Sequence, residues 1–375
     1  MRWARLLLLC ASIYACHDPG ATGSNSAQDL SIRFLAAGDA QGFTRAIEPR
    51  ELVFPRDHGS HPEYRTEWWY FTGNLFDANQ RHYGFELTFF RIALSPDVVA
   101  RDSQWATNQV WMAHFAVTDT ASGRFVAAER FARGALGLAG ASAAPLRVWT
   151  EDWSASGSAG GDDAAIRLAA RHEGVAIDLR LVAQKGPVAH GDRGLDRKGP
   201  EPGNASYYYS LSRLTASGTI TTPSGDSAVA GFAWMDREWG TSALSPGVAG
   251  WDWFALHLSD GRDLMFYRLR ESDGSASPFS GGSLIDAQGS RRALAAQDVD
   301  LRVLDLWRSP KSGARYPVRW RLSVPSAQIE LEIEPYLHDQ EVDLSVRYWE
   351  GAVRAIGTAE DEPLSANGYL ELAGY

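Results

Sequence analysis

The segment His61-Pro62-Glu63-Tyr64-Arg65-Thr66-Glu67-Trp68-Trp69-Tyr70-Phe71-Thr72-Gly73-Asn74-Leu75 decides the fold of this chain. In it, four consecutive aromatic residues follow a polar run. Because side chains alternate between the two faces of a strand, Trp68 and Tyr70 would point one way, while Glu67, Trp69 and Phe71 point the other. Both faces are then aromatic, as in a barrel or sandwich wall that is packed outside and lines a cavity inside. These aromatics either belong to a core or, in part, line a ligand cavity.

Alternation with period two continues along most of the chain. Residues 83–90, 111–118 and 124–131 follow this pattern, and turn-forming residues separate them. Short strands at near-regular spacing predict an all-β fold, either a barrel or a sandwich. Residues 184–204 are rich in proline and glycine, so we interpret them as a linker or long loop near a domain boundary. A second strand series follows.

Composition narrows the class of protein. The 375 residues are enough for two domains, and the 14 tryptophans are unusually many. A net charge of -10, with no run of Lys and Arg, argues against a nucleic-acid partner.

The first residues predict an export signal. Arg2 and Arg5 precede an apolar run over 6–15 that is too short to span a bilayer. The run ends in Ile13-Tyr14-Ala15-Cys16, which resembles a bacterial lipobox, although an ordinary secretory peptide is the alternative. We therefore expect an exported protein, either an outer-membrane lipoprotein anchored through lipidated Cys16 or a periplasmic protein. The expected organisation is a signal over 1–16, a flexible tether over 17–40, and two domains over 41–195 and 196–375.

A second cluster of aromatic and charged residues lies at 234–240, where Asp236 and Glu238 are two residues apart and flanked by tryptophans. These carboxylates are either an ion-paired brace or acids held in an apolar pocket. Burial beside indoles would raise a carboxyl pKa, whereas Arg237 or Arg268 nearby would lower it. Only an acid with a raised pKa could protonate an alkene or activate water.

Four stretches resemble the AttH-like family, which is related to carotenoid 1,2-hydratase (hydroxyneurosporene synthase) and is often labelled a predicted secreted hydrolase. They are residues 61–75, 234–240, 251–254 and 348–375, so the resemblance covers nearly all of the chain after the signal. It implies two consecutive lipocalin-like (calycin-type) antiparallel β-barrels. In the carotenoid hydratases a His acts with an Asp and aromatic residues, but the segment 234–240 contains no His. Only Asp236 and its flanking aromatics carry over.

The first functional hypothesis is an acid-base hydratase or hydrolase that acts on an apolar, lipid or isoprenoid-like substrate. Asp236 or Glu238 would donate the proton, and His61 or Glu67 would assist from the first barrel. Aromatic faces stabilise a developing cation, by about 0.5–2 kcal/mol each. The residues that would do so are Trp234, Trp251 and Trp253.

The second hypothesis is a lipid-anchored carrier of a hydrophobic ligand, with an ABC-type transporter as the partner that the resemblance implies. Trp68, Trp69 and Tyr70 would contact the ligand in this case. Its polar end would be bound by Arg91, His114 or Arg268. A third interpretation is that the inner residues simply fill the barrels.

The sequence contains no signal for two other kinds of site. No Gly-x-Ser-x-Gly motif is present, which argues against a serine hydrolase. His58, His61 and His82 are spaced too irregularly for a zinc site. We therefore expect neither a cofactor nor a bound metal.

Overall fold

The chain folds into two antiparallel sheets, each curled around its own core. The computed structural model describes residues 40–97, 101–158, 165–242 and 244–375. Over these residues the regular elements are strands, apart from short 3-10 turns at Arg56–His58, Ala296–Asp298 and Pro325–Ala327. The prediction of an all-β fold with two barrel-like units is confirmed.

The first sheet contains thirteen strands within the described part of the chain. In chain order they are β1 (Thr66–Asp77), β2 (His82–Ala93), β3 (Gln109–Asp119), β4 (Arg124–Arg133), β5 (Ala139–Ala143), β6 (Leu146–Thr150), β7 (Trp153–Ser158), β8 (Ala165–His172), β9 (Val175–Ala183), β10 (Val188–Ala189), β11 (Leu195–Arg197), β12 (Ala205–Thr222) and β13 (Gly225–Gly240). Their spatial order is β4-β3-β2-β1-β13-β12-β9-β8-β7-β6-β5, and β10 and β11 pair with β12.

The second sheet contains ten strands over the same described residues. They are β14 (Val248–Leu258), β15 (Asp263–Glu271), β16 (Gly281–Ile285), β17 (Arg291–Ala295), β18 (Asp300–Arg308), β19 (Arg315–Val324), β20 (Ile329–Pro335), β21 (Glu341–Asp343), β22 (Arg347–Ala359) and β23 (Glu362–Ala373). Their spatial order is β17-β16-β15-β14-β23-β22-β20-β19-β18, with β21 paired to β22.

Apolar side chains fill the interior of each curled sheet. Trp69 and Trp153 are among the buried residues of the first core, and Trp320 and Trp349 of the second. A third apolar cluster, which includes Tyr208, lies between the two sheets. The interiors are therefore packed cores, and the space for a ligand lies elsewhere.

The predicted division at residues 195 and 196 does not coincide with the division between the sheets. β12 and β13 belong to the first sheet, and the chain enters the second sheet only between Gly240 and Val248. The proline- and glycine-rich segment 184–204 suggested a linker because it lacks alternation. In the structure it returns along the first sheet, where β10 and β11 pair with β12.

The predicted export signal, the lipidation site Cys16 and the predicted tether up to residue 39 lie outside the described residues. Among the residues that are described, no helix has the length and apolar character needed to cross a membrane.

Candidate functional site

A cavity of about 180 Å³ lies between the two sheets and is lined by their outward-facing side chains. The first sheet contributes residues of β1, β2, β3, β12 and β13, and the second contributes residues of β14, β15, β22 and β23. We call this space the central cavity. Side chains that matter for the chemistry below are Trp68, Tyr70, Glu86, Phe90, His114, Lys198, Tyr208, Asp236, Glu238, Trp251, Trp253, Tyr348 and Glu371.

Strand β1 shows how the alternating pattern builds this wall. Trp68 and Tyr70 face the central cavity, while Trp69 and Phe71 point into the first core, where Trp69 stacks on Trp111. The predicted alternation is therefore confirmed. The sequence analysis expected the cavity inside the barrel and the packing outside it. In the structure the packed core lies inside the barrel wall and the cavity lies outside it.

Strand β13 places its two carboxylates on the cavity side. Tyr70 pairs with Asp236 and Trp68 pairs with Glu238 in the register between β1 and β13. Arg237 lies between them and therefore points to the opposite face of the sheet, into the first barrel. Neither carboxylate is paired with this arginine.

Asp236 is a buried acid that hydroxyl and indole groups surround. Tyr208 Oη donates to its Oδ2 at 2.5 Å, Trp234 Nε1 donates to Oδ1 at 2.6 Å, and Ser210 Oγ also donates to Oδ1. Burial raises the pKa of Asp236 to about 7, although these donors favour the ionised form. The residue can therefore hold or release a proton near neutral pH.

Glu238 lies beside the cation of Lys198. Ser206 Oγ donates to Glu238 Oε1 at 2.5 Å, and Lys198 Nζ is 3.6 Å from the same oxygen. Burial raises the pKa of Glu238, and Lys198 opposes that rise. Lys198 is itself bound to Asp196 Oδ2 at 2.5 Å. Burial lowers the pKa of Lys198, but Asp196 and Glu238 outweigh this effect and keep it above its ordinary value.

Glu371 on β23 is the carboxylate by which the second sheet lines the cavity, and buried Glu350 on β22 lies nearby, where it accepts a hydrogen bond from Tyr70. Glu371 accepts a hydrogen bond from Trp251 Nε1 at 2.8 Å. Burial raises the pKa of Glu371 to about 8, and the charges of Glu86, Asp236 and Glu238 add to the rise. These groups therefore face one another across the cavity.

The first sheet also contributes a fourth acid, Glu86 on β2, and a neutral histidine, His114 on β3. Thr88 Oγ1 donates to Glu86 Oε1 at 2.6 Å, and Tyr348 Oη lies 2.6 Å from His114 Nδ1. Burial raises the pKa of Glu86 to about 7 and lowers that of His114 to about 3. Glu86 Oε2 and His114 Nε2 are buried and have no hydrogen-bond partner in the described part of the chain. Both can bind a water or a ligand.

Two predicted catalytic residues, His61 and Glu67, lie outside the cavity. Glu67 is fully buried between Arg91 and Arg237, with which it forms salt bridges. His61 Nε2 lies 3.1 Å from Asp57 Oδ1, so it belongs to the same charged cluster. Burial would raise the pKa of Glu67, but the two guanidinium groups hold it well below its usual range. This cluster is an ion-paired brace, an arrangement that the sequence analysis considered for Asp236 and Glu238 and not for Glu67.

Other predicted ligand contacts also lie elsewhere. Arg91 belongs to the brace, and Trp69 belongs to the first core. Arg268 Nη2 lies 2.7 Å from Asp252 Oδ2 in a separate ion pair. Trp234 lies on the same face of β13 as Asp236, packed between the sheets, but it does not line the cavity; its indole donates a hydrogen bond to Asp236. Trp68, Tyr70, His114, Trp251 and Trp253 line the central cavity, as do Asp236 and Glu238.

Sequence reasoning missed several of the lining residues. Glu86, Lys198, Tyr208, Tyr348 and Glu371 were not singled out for chemistry, although all five line the cavity. A signal for Glu86 existed, since it places a carboxylate at the centre of an apolar alternating strand. Lys198 had none, because its segment resembled a linker.

Known proteins resemble this chain in both sequence and fold. Residues 45–375 match the family model described as AttH-like. The crystal structure of an AttH-type protein from Nitrosomonas europaea is 35% identical, with a TM-score of 0.78 over 89% of this chain and 100% of that one.

Two kievitone hydratases are more remote. The enzyme of Fusarium solani subsp. phaseoli is 24% identical over 223 residues, which is 55% of this chain and 59% of the relative's length. The crystal structure of kievitone hydratase from Nectria haematococca is 16% identical, with a TM-score of 0.65 over 89% of this chain and 98% of that one. At that identity the second likeness concerns the fold.

Proposed function

The chain belongs to the AttH-like family, and we propose on that basis that its central cavity hydrates a carbon–carbon double bond by acid-base chemistry. The observation that carries the proposal is the set of acids that line the cavity, Glu86, Asp236 and Glu371, whose pKa values desolvation raises to about 7, about 7 and about 8. A general acid is most effective when its pKa lies near the working pH. The relationship to a kievitone hydratase supports hydration over hydrolysis.

Asp236 is the proton donor in this proposal. Its proton forms the new C–H bond and leaves a carboxylate that Tyr208, Ser210 and Trp234 stabilise by hydrogen bonds. The adjacent carbon becomes cationic. Aromatic rings that line the cavity attract such a charge through their electron-rich faces.

Glu86 is the base that activates water. Its unpartnered Oε2 accepts a proton from the water whose oxygen attacks the cation, and this step forms the C–O bond. The proton gained by Glu86 equals the proton lost by Asp236, so the net reaction adds one water. Exchange with solvent then returns both acids to their starting states. His114 Nε2 provides a second, neutral contact for the water or product.

The cavity volume limits what part of a substrate can enter. Pockets that bury most of a drug-sized molecule have volumes of about 300–1,000 Å³. At about 180 Å³ the central cavity would take only the reacting end of such a molecule. We therefore propose a substrate with a small alkenyl end on a larger body.

The experiment uses kievitone as the first probe, with purified protein in water labelled with oxygen-18. Mass spectrometry should detect a product that has gained one labelled water. Asp236→Asn should lower the rate by about 100-fold or more, since general acid catalysis contributes that much. The control is Asp226→Asn, the same substitution at an exposed position of the same strand, which should leave the rate unchanged. If Asp236→Asn hydrates the probe at the wild-type rate, the assigned donor is wrong.

A carrier is the second candidate, because the cavity is lined largely by aromatic and apolar side chains. In this proposal an anchored envelope protein passes a hydrophobic ligand to an ABC-type transporter. Native mass spectrometry of wild type and Asp236→Asn distinguishes the two functions. A ligand that both proteins retain unchanged favours the carrier, whereas a ligand that only the wild type converts favours the enzyme.

A further inference from the structure

The central cavity has an excess of acidic groups over available cations. Glu86, Asp236, Glu238 and Glu371 come from three strands of two sheets and line one space. The three on the first sheet are buried, with an exposed fraction of 6% or less, and Glu371 is partly buried. Little water therefore solvates the charges of these carboxylates.

The basic groups that face these acids do not balance them. Lys198 donates a hydrogen bond to Asp196 at 2.5 Å. Asp196 does not line the cavity, and it neutralises much of the charge of Lys198. Arg347 is the other lining cation and lies at the start of β22. His114 is neutral because burial lowers its pKa to about 3. Burial also raises the pKa of Tyr208, Tyr267 and Tyr348 well above the usual value, which keeps these phenols neutral.

Two further observations indicate a ligand for this space. Glu86 Oε2 is buried and has no partner among the described residues, although Glu86 lines the cavity. Trp68, Tyr70, Trp251 and Trp253 line the same space, and their ring faces attract cations. A carboxylate oxygen without a partner inside an aromatic enclosure is a binding environment for a cation with an apolar body.

We propose that the central cavity binds hydrophobic ammonium ions, such as protonated tertiary alkylamines, in preference to neutral or anionic molecules of the same shape. The inference rests on the proposed function only in that both use this cavity. The ammonium group would occupy the place of the developing cation, between the indole faces and Glu86.

The charge of the ligand links binding to pH. An alkylamine stays protonated up to about pH 10, as a lysine side chain does. Glu86 and Asp236 ionise near pH 7, and Glu371 near pH 8. A bound cation favours their ionised forms, so binding releases protons, and affinity rises as pH increases through this range.

The test compares three probes by isothermal titration calorimetry on the whole purified chain. The cationic probe is N,N-dimethyloctylamine, the neutral probe is N,N-dimethyloctanamide and the anionic probe is octanoate. At a pH of about 8 the amine should bind about tenfold tighter than the amide, since 1.4 kcal/mol of ion and ring attraction corresponds to that ratio. The ratio should shrink at a pH of about 6, and titrations in two buffers of different ionisation enthalpy should reveal proton release.

Variants connect the preference to the cavity. Glu86→Gln and Glu371→Gln should each reduce the ratio of amine to amide affinity several-fold, while amide affinity stays the same. Glu330→Gln is the matched control, because Glu330 is an exposed carboxylate on β20 of the second sheet. If one variant fails to fold, the other still tests the proposal, as does Asp236→Asn.

Three results would overturn the inference. Equal affinity for amine and amide, a preference that survives in Glu86→Gln and Glu371→Gln, or saturable binding of magnesium chloride that excludes the amine would each do so. These results are separable from the fate of the hydratase. Hydration of kievitone without amine binding rejects only this inference, whereas amine binding without any hydration rejects only the proposed reaction.

Discussion

Asp236 and Glu67 show how neighbouring groups decide what a buried carboxylate can do. Both belong to one pair of strands, β1 and β13, and both are shielded from water. Glu67 forms salt bridges with Arg91 and Arg237, which keep it ionised. Asp236 has hydrogen-bond donors but no cation, so burial raises its pKa to about 7. The first carboxylate stabilises the fold, and the second can exchange a proton.

Tyr208→Phe tests the role of hydrogen bonding at Asp236. Tyr208 Oη donates to Asp236 Oδ2 at 2.5 Å and favours the ionised form. Its removal should raise the pKa of Asp236 by about one to two units, since a hydrogen bond to a charged group contributes about 1.5–3 kcal/mol. The infrared band of the protonated carboxyl group, followed against pH and assigned by its loss in Asp236→Asn, reports this pKa.

Tyr83→Phe is the control for this substitution. Tyr83 is equally buried, but its hydroxyl lies 3.3 Å from Ser227 Oγ, away from the central cavity. This variant should leave the titration of Asp236 unchanged. If Tyr208→Phe also leaves it unchanged, the tyrosine does not set the proton affinity of Asp236.

The sequence could supply both interpretations of the cluster around Asp236 but could not choose between them. Alternation along β13 already separates Arg237 from Asp236 and Glu238. What the sequence lacks is the partner of Arg237, because Glu67 is 170 residues away in the chain. Long-range pairing of this kind depends on strand register, which local patterns do not reveal.

At the scale of elements, the two sheets bring matching strand pairs to the cavity. Trp68 on β1 pairs with Glu238 on β13, and Trp253 on β14 pairs with Glu371 on β23. Each tryptophan strand also continues into a hairpin, β1–β2 in one sheet and β14–β15 in the other. The two walls of the cavity thus present a tryptophan paired with a glutamate at equivalent places.

Glu67→Gln tests the brace that joins β1, β2 and β13. The substitution leaves Arg91 and Arg237 buried without their carboxylate, although it hardly changes the side-chain volume. Breaking a buried ion pair by removing one partner costs about 3–5 kcal/mol. The free energy of unfolding, measured by urea denaturation, should fall by about that amount.

Asp178→Asn provides the comparison in the same sheet. Asp178 pairs with Arg167 between β8 and β9, where both side chains are more than half exposed. Exposed pairs contribute about 0–1 kcal/mol, so this variant should be nearly as stable as the wild type. Equal unfolding free energies for the two variants would show that the cluster around Glu67 is no brace.

For the molecule as a whole, periodicity predicted the class of fold but not the place of the site. Strands such as β2 and β3 alternate clearly, and their inner residues form the first core. The cavity lies on their outer faces, because a second sheet covers them there. A sequence pattern shows that both faces of a strand are apolar, but not which face meets a core and which meets another unit.

The acids of the central cavity should make the stability of the whole protein fall as pH rises. Burial raises the pKa of Glu86 and Glu371 from 4.5 to about 7 and about 8, and that of Asp236 from 3.8 to about 7. Through these acids the folded state binds more protons than the unfolded state between about pH 5 and pH 8, so their contribution to stability declines over this range.

Below about pH 6.5 buried histidines such as His82 and His114 oppose the decline, because burial lowers their pKa to about 3 and the unfolded state then binds more protons. Glu67 also has an effect on stability opposite to that of the cavity acids. Its pKa is lowered in the folded state, so its contribution is lost as the pH falls below about 4.5.

The combined variant Glu86→Gln, Asp236→Asn and Glu371→Gln should remove the contribution of these three acids, while that of the buried Glu350, whose pKa is also raised, remains. Each pKa unit corresponds to about 1.4 kcal/mol, so from a pH of about 5 to about 8 the wild type should lose several kcal/mol relative to this variant. Urea midpoints at a pH of about 5 and about 8 measure it. The control carries Asp226→Asn, Glu330→Gln and Glu362→Gln, all at exposed positions, and should keep the wild-type slope. If the stability of both triple variants depended on pH to the same extent, the cavity acids would not be protonated in the folded protein near neutral pH. Asp236 could then not be the proton donor.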